Sequence, residues 1–244
     1  PEDPVEKLAV LYSHPRWLAE FLLETYGRQL SEEIMAFNNR PPALVLRCNL
    51  LRHSPFELLK ELDSEGISSS ISPLAPFALR VEDAAGLLSE SKTFKKGGFY
   101  VQNEASMLAA AILNPVPGDI VYDLCCGVGG KSTHLAELMQ NRGRIFSFDR
   151  YAAKLKLLEK NCRRLDISII RPAEHDLTKP LTDCLPAPKV LLDAPCSGLG
   201  VLARRADSRW KKNPQMITSL SILQRTMLEN AGSLVEPGGC LLYS

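Results

Sequence analysis

Residues 120–131, Ile120-Val121-Tyr122-Asp123-Leu124-Cys125-Cys126-Gly127-Val128-Gly129-Gly130-Lys131, decide the fold. An apolar run reaches an aspartate, breaks into glycines and continues as a segment that reads as a helix after Gly130. Glycines in a strand-to-helix turn let the backbone come close to a ligand, and the start of the helix offers free N–H groups. The spacing is G-x-G-G rather than G-x-G-x-x-G, so this turn alone leaves the choice between cofactors open. It is also compatible with tight strand–helix packing and no ligand.

Downstream the pattern repeats. Arg144 to Asp149 reads as a second strand, and Asp149 at its end is placed to hold both hydroxyls of a ribose. Leu155, Leu158, Cys162 and Leu165 mark the apolar face of the next helix. Ile167–Ile170 reads as a third strand, followed by Asp176, which could meet an adenine edge. Val190–Asp193 is a fourth strand. Asn213 and Pro214 start a helix whose apolar face is Ile217, Leu220, Leu223, Met227 and Ala231, and residues 239–244 begin a fifth strand. This alternation predicts an α/β fold: an open, doubly wound parallel sheet with helices on both faces. The repeated placing of acids at strand ends weighs against packing alone as the purpose of the glycines.

Upstream, Lys95-Lys96-Gly97-Gly98 reads as a junction. Residues 43–95 form a small α+β unit: a strand at 44–48, a helix opened by the capping box Ser54-Pro55-Phe56-Glu57 and ended near Gly66, and a strand at 77–81. Residues 1–40 read as short helices, with Ser31 a predicted N-cap. The expected domains are therefore 1–95, helical and α+β, and 96–244, the doubly wound sheet.

Composition sets limits on partners. The 244 residues are 45% hydrophobic and 23% charged with a net charge of +1, so a nucleic-acid site must be a local basic patch. Seven cysteines without a CxxC pair argue against zinc, and adjacent Cys125 and Cys126 cannot both chelate one ion in usual geometry. No apolar run is long enough to span a bilayer and no secretory segment is visible. A cytoplasmic monomer without metal is expected. The chain begins at Pro1 rather than methionine and closes on Gly239-Cys240-Leu241-Leu242-Tyr243-Ser244, so both ends read as cut.

After the fourth strand comes Leu192-Asp193-Ala194-Pro195-Cys196-Ser197-Gly198. A carboxylate and a thiol flank a proline where the sheet's carboxyl edge opens. Cysteine is commonly a small buried hydrophobe; the proline and glycine argue here for an exposed, shaped loop. With this string the sequence resembles the Sun family of RNA cytosine carbon-5 methyltransferases. Further matching stretches are Ser13-His14-Pro15-Arg16-Trp17-Leu18, Asn38-Asn39-Arg40-Pro41-Pro42, Phe99 to Ser106, and Arg204-Arg205 with Trp210. The first two favour the ribosomal RNA branch. The family loop usually carries Ala-Pro where Gly127 and Val128 stand.

The resemblance implies a class I, Rossmann-like methyltransferase domain behind a smaller N-terminal RNA-recognition domain, with S-adenosylmethionine as cofactor. Implied cofactor contacts are Cys125, Cys126, Gly127, Val128, Gly129, Gly130, Lys131, Asp149, Asp176 and Asp193. Carbon 5 of cytosine is a poor nucleophile, and the family activates it by adding a cysteine thiolate to carbon 6. Asp193 is the implied acid near ring nitrogen 3, which requires a raised pKa in a dry pocket. Cys196 is implied in proton removal and product release. The family's nucleophile lies in a Thr-Cys-Ser string after a run that here is Gly238 to Ser244, so the 244 residues are expected to be inactive alone. Cys240 precedes the relevant position.

Arg204, Arg205, Arg209, Trp210, Lys211 and Lys212 form the expected RNA contact, since cations neutralise phosphates and an aromatic face stacks on an unpaired base; a solvated loop with Trp210 in the core is the alternative. Lys154, Lys156, Lys160, Arg163 and Arg164 read as the wet face of an amphipathic helix. His14 and Trp17 read as structural. Two rival readings remain: a nicotinamide-dependent oxidoreductase, which leaves Asp193 to Gly198 without a purpose, and a non-catalytic RNA-binding or assembly protein.

Overall fold

Asp3 accepts the N–H of Val5 at 2.9 Å and Pro4 opens the first helix, α1 (Pro4–Leu11). α2 (Arg16–Asn38) follows, interrupted at Gly27, whose φ of 71° and ψ of 175° lie outside the helical region. The break therefore falls four residues before the N-cap predicted at Ser31. Ser31 is buried inside the helix and its hydroxyl donates to the Gly27 carbonyl at 2.6 Å. Glycine takes this backbone conformation without the penalty a Cβ brings. Leu8, Leu18, Leu22 and Met35 pack with Leu202 in one core. In this computed structural model, which describes residues 3–83, 88 and 90–244, that core belongs to a compact unit built from Pro1–Pro42 and Pro195–Leu223; the other unit comprises Ala43–Ala194 and Gln224–Ser244.

The second unit begins with β1 (Leu44–Cys48), α3 (Pro55–Ser64), β2 (Ser68–Ile71), β3 (Ala78–Asp83), α4 (Lys92–Lys95) and β4 (Phe99–Val101), whose strands form an antiparallel sheet of order β2-β3-β1-β4. The capping box is as read: Glu57 N–H donates to Ser54 Oγ at 3.3 Å and Ser54 N–H to Glu57 Oε2 at 2.7 Å. Leu46, Leu58, Leu62, Leu79 and Phe99 fill the core of this sheet. The sequence junction at 95/96 falls between α4 and β4, and β4 pairs back across it, Phe99 opposite Cys48. Asn49 explains the return, because its side-chain amide donates to the carbonyls of Gly97 and Leu165, each at 2.9 Å.

Next come α5 (Glu104–Leu113), β5 (Ile120–Asp123), α6 (Gly130–Leu138), β6 (Arg144–Asp149), α7 (Ala152–Leu165), β7 (Ile170–Glu174), β8 (Ala187–Leu192), α8 (Pro214–Gly232) and β9 (Val235–Tyr243). Their five strands are all parallel in the order β7-β6-β5-β8-β9. The order reverses at β5, so the carboxyl ends of β5 and β8 flank the switch point where doubly wound sheets take ligands. The third strand starts at Ile170 rather than Ile167, because Ile167 N–H closes the end of α7 on the Cys162 carbonyl at 2.9 Å. Leu155, Leu158 and Leu165 of α7 are buried as read. Arg164 is not on a wet face, since its guanidinium donates to the carbonyls of Phe94 at 3.0 Å and Phe99 at 2.9 Å. Of the face predicted on α8, Met227 and Ala231 are buried and Ile217, Leu220 and Leu223 half-buried.

Candidate active site

β5 delivers Asp123, and the chain then turns through Leu124–Gly129 into α6. Leu124 N–H donates to Leu191 of β8 and Cys126 N–H to Phe148 of β6, both at 2.9 Å, so the turn is pinned to both neighbouring strands. Gly127 has φ 57° and Gly129 φ 92°, the left-handed region that favours glycine. A Cβ on Gly129 would stand 2.1 Å from Leu158 Cδ1, whereas around Gly127 nothing lies within 4 Å. One glycine permits close helix packing; the other leaves open space beside the loop.

Asp149, at the end of β6, accepts the Gly127 N–H at 3.0 Å and the Tyr151 N–H at 2.9 Å, and pairs with Lys154 at 3.2 Å. It thus holds the glycine turn. Asp176, beyond β7, accepts the N–H and hydroxyl of Thr178 at 3.1 and 2.9 Å, and these bonds hold its carboxyl below the ordinary range.

Asp193 lies just past β8 and pairs with Lys131 of α6 at 2.6 Å, its side chain 38% exposed and that of Lys131 11%. Asp193 is thus partly exposed, whereas Asp123 at the end of β5 is fully buried. Burial pushes the Asp123 carboxyl up to about 7, with Asp193 acting in the same sense and the 2.6 Å bond from Ser132 Oγ opposing. Burial, reinforced by Asp123, Asp149 and Asp193, pushes the Cys125 thiol up to about 12; Cys126 moves up for similar reasons. Both are protonated at neutral pH.

In the other unit Cys196 is exposed. The basic segment is divided in its roles. Arg209 is only 3% exposed. It donates to the carbonyls of Ser13 at 2.9 Å and Asn38 at 3.1 Å and to Asn39 Oδ1 at 2.7 Å, tying this segment to the ends of the first two helices. It therefore leaves the set of expected RNA contacts, as a buried arginine whose two Nη groups serve the fold. The Lys212 ammonium donates to the Ser197 carbonyl, and the Lys212 carbonyl accepts the Trp17 indole N–H at 3.1 Å. Trp210 is 60% exposed, not tucked into the core, and Arg204, Arg205 and Lys211 are exposed beside it. His14 is buried and hydrogen-bonded to the Tyr12 carbonyl at 2.7 Å, a structural placement like that of Trp17.

A family profile described as 16S rRNA methyltransferase RsmB/F matches residues 110–244. The chain belongs to that family. A second profile, the ferredoxin-like domain of the RsmF/B-like methyltransferases, matches residues 14–87. The probable ribosomal RNA small subunit methyltransferase B of Synechocystis is 37% identical over 96% of this chain and 53% of its own length. The Bacillus subtilis protein of the same description is 36% identical over 100% of this chain and 54% of its own length. The chain spans about half the length of these relatives. The crystal structure of PH0851 is 36% identical, with a TM-score of 0.93 over 100% of this chain and 55% of that one. The crystal structure of NSun6 from Pyrococcus horikoshii with SFG shares the fold, with a TM-score of 0.85 over 96% of this chain and 83% of that one.

S-adenosylmethionine is the cofactor of RsmB/F methyl transfer, and membership leaves the nicotinamide reading without support. Among the described residues no helix is long and apolar enough to cross a membrane, and no group of three or more His, Cys, Asp or Glu side chains could hold a metal ion. In this RsmB/F chain two features have little signature in local sequence. The burial of Asp123 was signalled by an aspartate closing an apolar strand. Arg47 was signalled only as a lone charge within Leu44-Val45-Leu46-Arg47-Cys48.

Proposed function

We propose that the protein to which these residues belong transfers a methyl group from S-adenosylmethionine to carbon 5 of a cytosine in small-subunit ribosomal RNA, through a covalent cysteine adduct. The observation that carries this reading is Asp193: it opens the Asp-Ala-Pro-Cys-Ser-Gly string at the switch point and is ion-paired to Lys131 of the helix that leaves the glycine turn.

The site fits a cationic adenosyl ligand. Asp149 and Asp193 follow the carboxyl ends of β6 and β8, the strands on either side of the one that leads into the turn, and the space beside Gly127 is open. The bound cofactor supplies an electrophilic methyl group. In this reading Asp149 holds the ribose, Asp176 the adenine edge, and the backbone from Cys125 to Lys131 the remainder. Asp193 stands near the methionine part and ring nitrogen 3, with the Lys131 ammonium fixing its orientation. Cys196 serves proton removal and product release. Residues 1–95 contribute RNA recognition and 96–244 the transfer. Arg204, Arg205, Trp210, Lys211 and Lys212 face RNA, without Arg209.

The 244 residues contain no Thr-Cys-Ser string. The chain alone is therefore predicted to bind cofactor in calorimetry and to give no methyl transfer from labelled cofactor to cytosine-containing RNA. Robust turnover by these residues would refute the assigned chemistry. RNA affinity should fall steeply with salt, and an Arg204→Ala, Arg205→Ala double variant should flatten the log–log slope by about 0.7 per lost phosphate contact on single strands. An unchanged slope removes the basic segment from the interface.

A further inference from the structure

Arg47 lies in the middle of an apolar strand with 0% exposure, yet its donors all find partners. Nε donates to Glu137 Oε2 at 3.0 Å. Nη2 donates to Glu137 Oε1 and to Thr133 Oγ1, both at 2.8 Å. Nη1 donates to Gln102 Oε1 and to the Gly130 carbonyl, both at 2.5 Å. The guanidinium also lies over the Tyr100 ring, 5.0 Å from its centroid. A buried cation needs a counter-charge and satisfied donors, and among the described residues Glu137 supplies the charge. The remaining bonds lead elsewhere, to the first turn of α6 and to Gln102, which follows β4.

Thr133 extends the path. Its hydroxyl has one proton and two lone pairs. It accepts from Arg47 and donates to the Gly129 carbonyl at 2.7 Å. Arg47 thus reaches Gly130 directly and Gly129 through one hydroxyl. These two glycines end the turn whose backbone lines the space beside Gly127. Gln102 belongs to the same constellation, since a Cβ placed on Gly130 would lie 3.6 Å from Gln102 Nε2. β1, which carries Arg47, is the strand shared by β3 and β4 in the antiparallel sheet.

We propose that Arg47 is a positioning residue for the cofactor: through the Gly130 carbonyl and the Thr133 hydroxyl, the antiparallel sheet sets the conformation of the Gly129–Gly130 turn on which the cofactor rests. The inference rests on the methyltransferase reading of that turn. It makes the antiparallel sheet part of the cofactor site and not only a neighbour of it.

The test uses Thr133→Val, which keeps the shape and removes the relay, Thr133→Ser, which keeps the hydroxyl, and Arg47→Lys, which keeps the charge and loses the planar fork. S-adenosylmethionine is titrated into each in a calorimeter, alongside thermal unfolding without cofactor. Thr133→Val is expected to weaken cofactor binding about tenfold, the effect of one net hydrogen bond, with Thr133→Ser restoring it. Arg47→Lys is expected to weaken binding at least as much. In the whole protein the KM for cofactor should rise while kcat at saturating cofactor holds, a split that a general loss of folding does not produce. If Arg47→Lys fails to fold, Thr133→Val decides. Wild-type affinity in folded Thr133→Val overturns the positioning role alone. Absence of cofactor binding in the wild-type chain overturns the reading of the site and the inference with it.

Discussion

At the residue scale, two buried groups act on stability from opposite sides of the pH range. The Asp123 carboxyl is raised to about 7 by burial, against roughly 3.9 in an unfolded chain. A carboxyl raised in the folded state binds its proton more tightly there, so folding loses stability as pH climbs from about 4 to 7, by on the order of 4 kcal/mol. His134 is held well below its ordinary value by burial, with the Arg47 guanidinium acting in the same sense and a Met107 backbone bond against it. A base lowered in the folded state contributes stability that is complete above its unfolded pKa and lost as pH falls below about 6.5. Urea unfolding across pH 4–9 should show Asp123→Asn gaining stability relative to wild type as pH rises from about 4 to 7 and holding that gain above 7, because the amide mimics the protonated acid. His134→Leu should lose less stability than wild type on the acid side. Parallel curves for wild type and Asp123→Asn would show that the Asp123 carboxyl is not raised.

At the scale of elements, the turn between β5 and α6 sets how closely α7 can approach. Gly129→Ala combines a φ of 92° with a Cβ 2.1 Å from Leu158 Cδ1. The expected loss is about 2–4 kcal/mol, read as a lower unfolding midpoint. Leu158→Ala in the same chain should recover the steric part of the loss but not the backbone part. The strands around this turn were legible because burial on both faces writes continuous apolar runs, and β6 matches its predicted bounds. What escaped depended on partners remote in sequence. Ile167 looks like a strand residue until the end of α7 takes its N–H. β4 looks like part of the second domain until Asn49 draws Gly97 back. Ser31 looks like a cap until Gly27 breaks the helix before it. The placing of Asp149, Asp176 and the glycine turn after their strands could be read from local pattern. The burial of Asp123 depends on the packing around the turn, and the role of Arg47 on partners between 55 and 90 positions further along the chain.

At the scale of the whole molecule, one unit is assembled from two separated stretches of chain, Pro1–Pro42 and Pro195–Leu223. Arg209 ties them with three hydrogen bonds, to Ser13, Asn38 and Asn39. Arg209→Ala leaves those acceptors without their partner and is expected to destabilise this unit by about 2–4 kcal/mol. Hydrogen exchange should show faster exchange in the first two helices while protection in β5, β6 and β8 is unchanged. Equal loss of protection in both units would mean that they unfold together, contrary to the prediction.

The same discontinuity has a consequence during synthesis. The first two helices emerge from the ribosome with their shared core incomplete, because Leu202, which joins it, is encoded far downstream. At translation speeds of roughly 5–20 residues per second, the nascent helices wait about 8–30 s for that partner. Throughout that interval they are a target for holdase chaperones and a point of entry for cellular proteases.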